Sequence, residues 1–353
     1  MEKGERLLKH LYKADLSVCD ESNSFLQSGF WGTFKSRFGW EAHAFQAEWQ
    51  SGEAPCEAKP LLVLFRALSR AGSLAYVPWG PELPLSCSCP DNAILELAET
   101  LKTILPKNTV FIRFDPPWHS ETALSLPPPF IHSAADIQPP DTVILDLSQS
   151  MESLIEQMKP KWRYNAKLAI KKGVKVYQAG AERMKCFYEL LRQTARRDGI
   201  AIHSFEYYQT LFESSWYKGK APDIRLYLAE YEGELLAGIV TLFRGGAAVY
   251  LYGASSDKKR NLMAPYALQL KAFQDARISG CLNYDLFGIP PDDNPSHPMA
   301  GLYKFKTGFG GKIIHRSGSW DFPCRPLIYC IFRCAESARK TIQTRKKRKF
   351  KNK

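Results

Sequence analysis

Nine cysteines are present without a single Cys-X-X-Cys spacing: Cys87 and Cys89 stand one residue apart, and Cys324, Cys330 and Cys334 are scattered near the end. That excludes the paired ligand spacing of a structural zinc site. The thiols read as free and mostly buried, as in a reducing compartment. A long apolar run is also missing. The opening residues, MEKGERLLKHLYKADLS, are charged throughout and carry neither a signal peptide nor a spanning segment, so a cytoplasmic protein is expected. No Gly-X-Ser-X-Gly elbow occurs, and no cysteine stands in a recognisable signature with histidine, which leaves nucleophilic catalysis unsupported. No metal is expected. Asp292 and Asp293 form a carboxylate pair, but beside Pro290, Pro291 and Pro295 they read as turn residues.

Acidic residues are absent from two stretches. The net charge is +12, and Arg339–Lys353 alone holds nine Lys or Arg. A second acid-free cluster contains Lys159, Lys161, Arg163, Lys167, Lys171, Lys172 and Lys175. Both suit polyanions: RNA phosphates, substrate diphosphates or anionic lipid head groups. For the terminal run, a disordered solubilising tail is an equal reading.

With 353 residues and 45% hydrophobic content, the chain can bury two cores. The pattern repeats. Leu61–Leu68 and Ser73–Val77 read as strands, followed by the turn Pro78–Pro81, a helix over Asn92–Leu105 capped by Asp91 or Asn92, and the strand Val110–Phe114. A proline-rich connection, Pro116–Pro140, leads to the strand Thr142–Leu147. Helices Met151–Met158 and Trp162–Lys172, separated by Pro160, and Ala181–Arg192 then precede a second set. There, strands Ile224–Tyr231, Leu235–Phe243 and Ala247–Tyr252 form a meander, Pro265–Ile278 is a helix, and Leu282–Phe287 returns as a strand. Meander, helix and returning strand is the core order of the GNAT acyltransferase fold. The expected class is α/β (α+β): two tandem GNAT-like domains with mixed sheets flanked by helices. The first domain takes 1–147 and about 318–338, the second 148–317, and 339–353 is the basic tail.

The segment Tyr284–Gly311, YDLFGIPPDDNPSHPMAGLYKFKTGFGG, holds the most specific chemistry. Lys306 stands between Phe305 and Phe309, which exclude water and strengthen its field, while Gly308, Gly310 and Gly311 let backbone approach a substrate. The competing reading is an aromatic edge strand with a surface lysine. No cofactor is expected. A coenzyme A enzyme would open its central helix on a glycine-rich turn, and here Leu262, Met263 and Pro265 fill that place. What remains is attack of an amine on an activated ester, in which Lys306 stabilises developing negative charge. Asp115, before Pro116 and Pro117, either helps move the proton or caps its turn. Tyr207, Tyr252 and Tyr266 are donors that shape the cleft or simply pack in the core.

From FLQSGFWGTFKSRFGW (Phe25–Trp40) onward, the chain resembles the Fem (FemABX-like) family of peptidoglycan bridge-forming aminoacyltransferases. The likeness continues through YVPWGPELP, FIRFDPP, KWRYNAKLAIKKGVKV, LYGASSDKKRNLMAPYALQ and LFGIPP…GLYKFKTGFGG, over about residues 15 to 325. It implies transfer of an amino acid from aminoacyl-tRNA to the stem-peptide amine of a precursor, either UDP-MurNAc-pentapeptide or lipid II.

Position by position, it implies that Lys35 holds the precursor's diphosphate. Lys306, with Phe305 before it, approaches the tRNA end, Asp115 is the carboxylate of the site, and Tyr207 and Tyr252 line the precursor cleft. His203 stands where relatives using the soluble precursor place an arginine, and a mostly neutral imidazole does not replace a bidentate fork. That tilts the expectation toward lipid II. The long helical arm of some relatives is absent, because Gly173–Ile224 has room only for the helices already named. Contact with tRNA then falls to Lys161, Arg163, Lys167 and Lys171 or to the tail, which alternatively holds a monomeric enzyme at the inner face of the membrane. A coenzyme A-dependent acyltransferase and a non-catalytic RNA-binding protein are the alternatives.

Overall fold

The computed structural model describes residues 6–50, 52–53, 55–69, 72–118 and 125–336. The basic tail lies outside them. In chain order the first elements are β1 (Leu8–Ala14), α1 (Gly29–Ser36), β2 (Glu41–Trp49), β3 (Glu57–Ser69), β4 (Gly72–Val77), α2 (Pro90–Ile104), β5 (Thr109–Phe114) and β6 (Ile131–His132). Next come β7 (Asp141–Asp146), α3 (Met151–Gln157), α4 (Pro160–Lys171), β8 (Lys175–Ala179), α5 (Met184–Asp198) and α6 (Phe205–Phe212). The chain continues through β9 (Asp223–Tyr231), β10 (Glu234–Arg244), β11 (Ala247–Ser255), α7 (Ala264–Ile278), β12 (Asn283–Asp285), α8 (Ala300–Thr307), β13 (Lys312–His315) and β14 (Trp320–Pro323).

The chain divides into two compact units. One takes the residues before Asn23, Leu26–Pro140 and the chain from Arg316 onward; the other takes Asn23–Phe25 and Asp141–His315. The first holds a sheet in the order β1-β2-β3-β4-β5-β14-β6. Its parallel pair β4 and β5 is buried along its whole length, as strands covered on both faces must be, and α2 makes the crossover between them. Ala93, Ile94, Leu97, Ala98 and Leu101 face the core from α2 at helical spacing. The helix starts earlier than expected. Pro90 occupies its first turn, Cys89 stands at the cap without a side-chain bond, and Asp91 lies inside the helix instead of capping it.

The second sheet runs β13-β7-β12-β11-β10-β9-β8. The antiparallel meander β9-β10-β11 is followed by α7 and by β12, which returns parallel to β11. Thr142–Leu147 was expected to close the first domain. It pairs instead with β12 and β13, setting Leu145 opposite Tyr284 and Val143 opposite Ile313, so the second unit begins at Asp141. An apolar run carries no label for its partner strand. Two elements, β8 and α6, occupy the stretch where only helices already named were expected. Pro160 does not separate two helices but opens α4. Among the described residues the longest helices, α2, α5 and α7, have 15 residues each, so none forms a long arm.

Candidate active site

Residues 300–307 form a helix, not an edge strand, and Lys306 lies on its inward side at 6% exposure. Rings dock the helix. Trp162 of α4 donates from Nε1 to the Phe305 carbonyl at 2.8 Å, Tyr266 of α7 lies 5.4 Å from Phe305, and Phe309 meets Phe273 at 5.6 Å between centroids. Tyr266 is thus part of the wall that holds α8. The glycines serve this packing. A Cβ on Gly308 would come 2.1 Å from the Trp162 indole, and Gly310 and Gly311 take left-handed conformations against the backbone at Gln157 and Ile144. Gly308→Ala should therefore cost about 1–3 kcal/mol through overpacking, read as a lower urea midpoint.

Lys306 Nζ donates to the carbonyls of Phe287 at 3.3 Å and Gly288 at 3.0 Å, and lies 5.1 Å from the Tyr250 ring centroid. Phe287 is left-handed (φ 59°) where the chain leaves β12. The Asp285 carboxylate holds this turn by accepting from the Phe287 N–H at 2.7 Å and from the Thr142 hydroxyl. Burial pushes the Lys306 ammonium down to about 7, with the Asp285 charge acting in the opposite sense.

His203, Tyr207 and Tyr252 form a second cluster in the same unit. The His203 and Tyr207 rings stack at 3.9 Å, and Tyr208 meets Tyr252 edge-on at 4.9 Å. Tyr208 was not singled out from sequence; it belongs to α6, an element that sequence reading missed. Burial pushes the Tyr207 hydroxyl up to about 12, opposed by a hydrogen bond with Tyr252, and raises Tyr252 well above the usual range. Both stay protonated donors. The two clusters share β11, whose extra residue Leu251 separates Tyr252, opposite Val240, from Tyr250, opposite Thr241.

Lys35 and Asp115 belong to the first unit. Ser28 caps α1 by accepting from the Trp31 N–H at 3.1 Å, and Lys35 in its last turn lies 5.5 Å from the Trp31 ring and 5.7 Å from that of Trp40. Burial and then the Arg66 charge, which sits over the same Trp40 ring, push Lys35 down to about 8. Asp115 is buried, and its two oxygens accept from the hydroxyls of Tyr76 and Ser319. Burial pushes its carboxyl up to about 6, with those hydroxyls opposing. Beside it, Arg113 makes a bidentate pair with Asp321 at 2.7 and 2.8 Å, and Tyr329 donates to the same carboxylate at 2.9 Å. No sequence pattern singled out Arg113 or Asp321.

On α4, Lys161, Lys167 and Lys171 are exposed and form no ion pair among the described residues. Arg163 is different. It donates to the carbonyls of Glu156 and Met158, both at 2.7 Å, and so caps α3. Tyr164, 63% exposed between these lysines, was overlooked, although an aromatic residue within a basic run was the available signal. Leu262 is buried in the core with Met263 packed against it, so the side chains that replace the glycines of a coenzyme A turn are core residues. Asp292 accepts from the Asn294 N–H at 3.1 Å, as a turn residue does. The cysteines are all free, but only Cys19 and Cys281 are buried, against the expectation that most would be.

Two mixed sheets, each with a helix crossing between parallel neighbours, define a tandem GNAT-like protein. A solved structure titled a tandem GNAT protein from the clavulanic acid biosynthesis pathway shares this fold, with a TM-score of 0.50 and 12% identity over 89% of this chain and 98% of that one. The crystal structure of FemX is more similar, with a TM-score of 0.77 and 20% identity over 92% of this chain and all of that one. The sequence model of the FemAB family matches residues 130–232 and 224–337, more than half the chain, and this protein belongs to that family. Relatives named lipid II:glycine glycyltransferase occur in Staphylococcus epidermidis (23% identical, covering 55% of this chain and 60% of the relative) and Staphylococcus aureus (22%, 55% and 61%). The chain spans about three fifths of the length of these relatives.

Proposed function

We propose that this chain transfers an amino acid from aminoacyl-tRNA to the stem-peptide amine of a peptidoglycan precursor, with lipid II slightly favoured over UDP-MurNAc-pentapeptide. The observation that carries the reading is Lys306, a buried ammonium fixed by two carbonyls and a ring on a helix that aromatic packing immobilises. The acceptor amine attacks the ester carbonyl carbon, the carbonyl oxygen gains charge, and as the bond to the ribose oxygen breaks that oxygen takes up the proton that the amine gives off in becoming an amide. An ammonium held in a dry site stabilises such an oxyanion more strongly than one in water, and a value near 7 lets it exchange the proton. Tyr207 and Tyr252 remain protonated and orient the precursor.

Asp115, with both oxygens engaged, holds β4, β5 and β14 together instead of moving the proton itself. Lys161, Lys167 and Lys171 meet the tRNA, with Tyr164 among them as a stacking surface, whereas Arg163 is committed to α3. No helix of the described residues is long and apolar enough to cross a membrane, and the reading places the reaction on the cytoplasmic side, where charged tRNA is made.

Mass spectrometry tests this. Purified protein is incubated with a pool of charged tRNA and with UDP-MurNAc-pentapeptide or lipid II in parallel. A gain of one amino-acid residue that RNase abolishes is the expected result. No gain on either acceptor overturns the reading, and tight binding of acetyl-CoA would favour the coenzyme A alternative.

A further inference from the structure

After β14 the chain forms a further helix, residues 326–336, which packs on the first sheet. One face of it is tied down. The Tyr329 and Phe332 rings meet Phe111 at 5.1 and 5.0 Å, the Tyr329 hydroxyl donates to Asp321 at 2.9 Å, and Glu336 lies 3.7 Å from Arg113. Positions 329, 332 and 336 follow at helical spacing and define the inward side.

The opposite side is apolar too. Leu327, Cys330, Ile331 and Cys334 follow at i, i+3, i+4 and i+7, with Leu327 84% and Ile331 71% exposed and both thiols free and exposed. A helix apolar on both sides is ordinarily buried, and here only one side is covered among the described residues. Single exposed apolar residues are ordinary on a surface, whereas four in a row along one helix mark a contact face.

Charge indicates what that face meets. Glu336 is the only acid from Cys324 to Lys353, and it is engaged with Arg113 on the inward side. Arg333 is exposed beside the apolar row, and Arg339–Lys353, outside the described residues, adds nine Lys or Arg. An RNA would answer those charges but leave Leu327 and Ile331 in water. A second copy of the chain would cover the apolar row but leave the charges unanswered. An anionic bilayer satisfies both.

We propose that the outer face of this helix sinks among the head groups of an anionic membrane, with Leu327, Cys330, Ile331 and Cys334 as the apolar contact and Arg339–Lys353 as the electrostatic one. Two weak signals of different kinds then act as one reversible anchor. The anchor involves neither Lys306 nor a precursor, so it stands or falls apart from the proposed transfer reaction.

Co-sedimentation of the full chain with vesicles tests it. Vesicles of phosphatidylglycerol and phosphatidylcholine in equal parts should bind at least tenfold more tightly than phosphatidylcholine alone, and high salt should remove most of that difference. Leu327→Ser with Ile331→Ser should weaken binding at least threefold. Leu327→Trp with Ile331→Trp should strengthen it at least threefold, because indole favours the membrane interface. These side chains are exposed, so melting temperatures should not move. A membrane-impermeant maleimide reads the contact directly: mixed vesicles should slow labelling of Cys330 and Cys334 at least tenfold, measured on their peptides by mass spectrometry, and phosphatidylcholine vesicles should not. Binding with both thiols still reactive would mean that the tail alone attaches the chain, and it overturns the proposal. So does unchanged affinity in the serine and tryptophan variants, or protection of the thiols by RNA or by rising protein concentration without vesicles.

Discussion

Lys306→Ala is expected to slow single-turnover transfer by about 10²- to 10³-fold, the usual loss when one well-placed donor to a developing oxyanion is removed. Binding of tRNA should stay within about twofold, since α4 and not α8 carries the exposed basic face. A protein that only binds RNA would show no loss of this kind. The pH dependence follows from the charge. Burial lowers the folded value from 10.5 to about 7, so the ammonium is lost as pH rises through 7, and the chemical step should weaken there if the cation is the active form. Stability moves the other way. Between about 7 and 10.5 the unfolded chain holds a proton that the folded chain has released, so stability rises with pH across that window and is flat below it. Lys306→Met should abolish that rise and stabilise the protein at pH 7, a gain in stability bought with activity. Urea titrations of both proteins at pH 6.5 and 9 measure it, and a parallel response would refute the assignment of a buried, half-titrated lysine.

Asp321→Ala is expected to cost about 3–5 kcal/mol, because it strands the Arg113 guanidinium without its bidentate partner in a site where both side chains are buried. The Tyr329 hydroxyl loses its acceptor as well. Asp321→Leu combined with Arg113→Met should recover part of the loss, since the buried pair is removed together, while Glu336, 3.7 Å from the guanidinium, and the buried Asp115 lose that cation. A double variant as unstable as the single one would mean that the network contributes through its geometry and not through its charges.

Much of the architecture was legible in local pattern. The meander β9-β10-β11, the helix α7 behind Pro265 and the return at Tyr284 follow from alternation, turn glycines and the proline, all of which act within a few residues of themselves. Lys306 was recognisable for the same reason: aromatic and glycine neighbours in one short segment mark a lysine that is placed. The elements that escaped were short or weakly periodic. Among them, α6 packs through Tyr207, Tyr208 and Leu211 in only eight residues, too few turns for a helical period to stand out.

By itself, then, the sequence determined the class of fold, the aromatic and glycine setting of Lys306 and the lack of glycines in the turn before α7, because each depends on residues adjacent in the chain. Only the tertiary structure decided that β7 belongs to the second sheet, that residues 300–307 are helical, that Arg163 caps α3 and that Asp115 faces two hydroxyls. It alone joined Arg113 to Asp321 across 208 positions and set the Phe287 and Gly288 carbonyls around Lys306. The physical reason is range: periodicity and turn chemistry are local, whereas burial, partner choice and the charge state of a buried group are fixed by residues that meet only when the chain has folded.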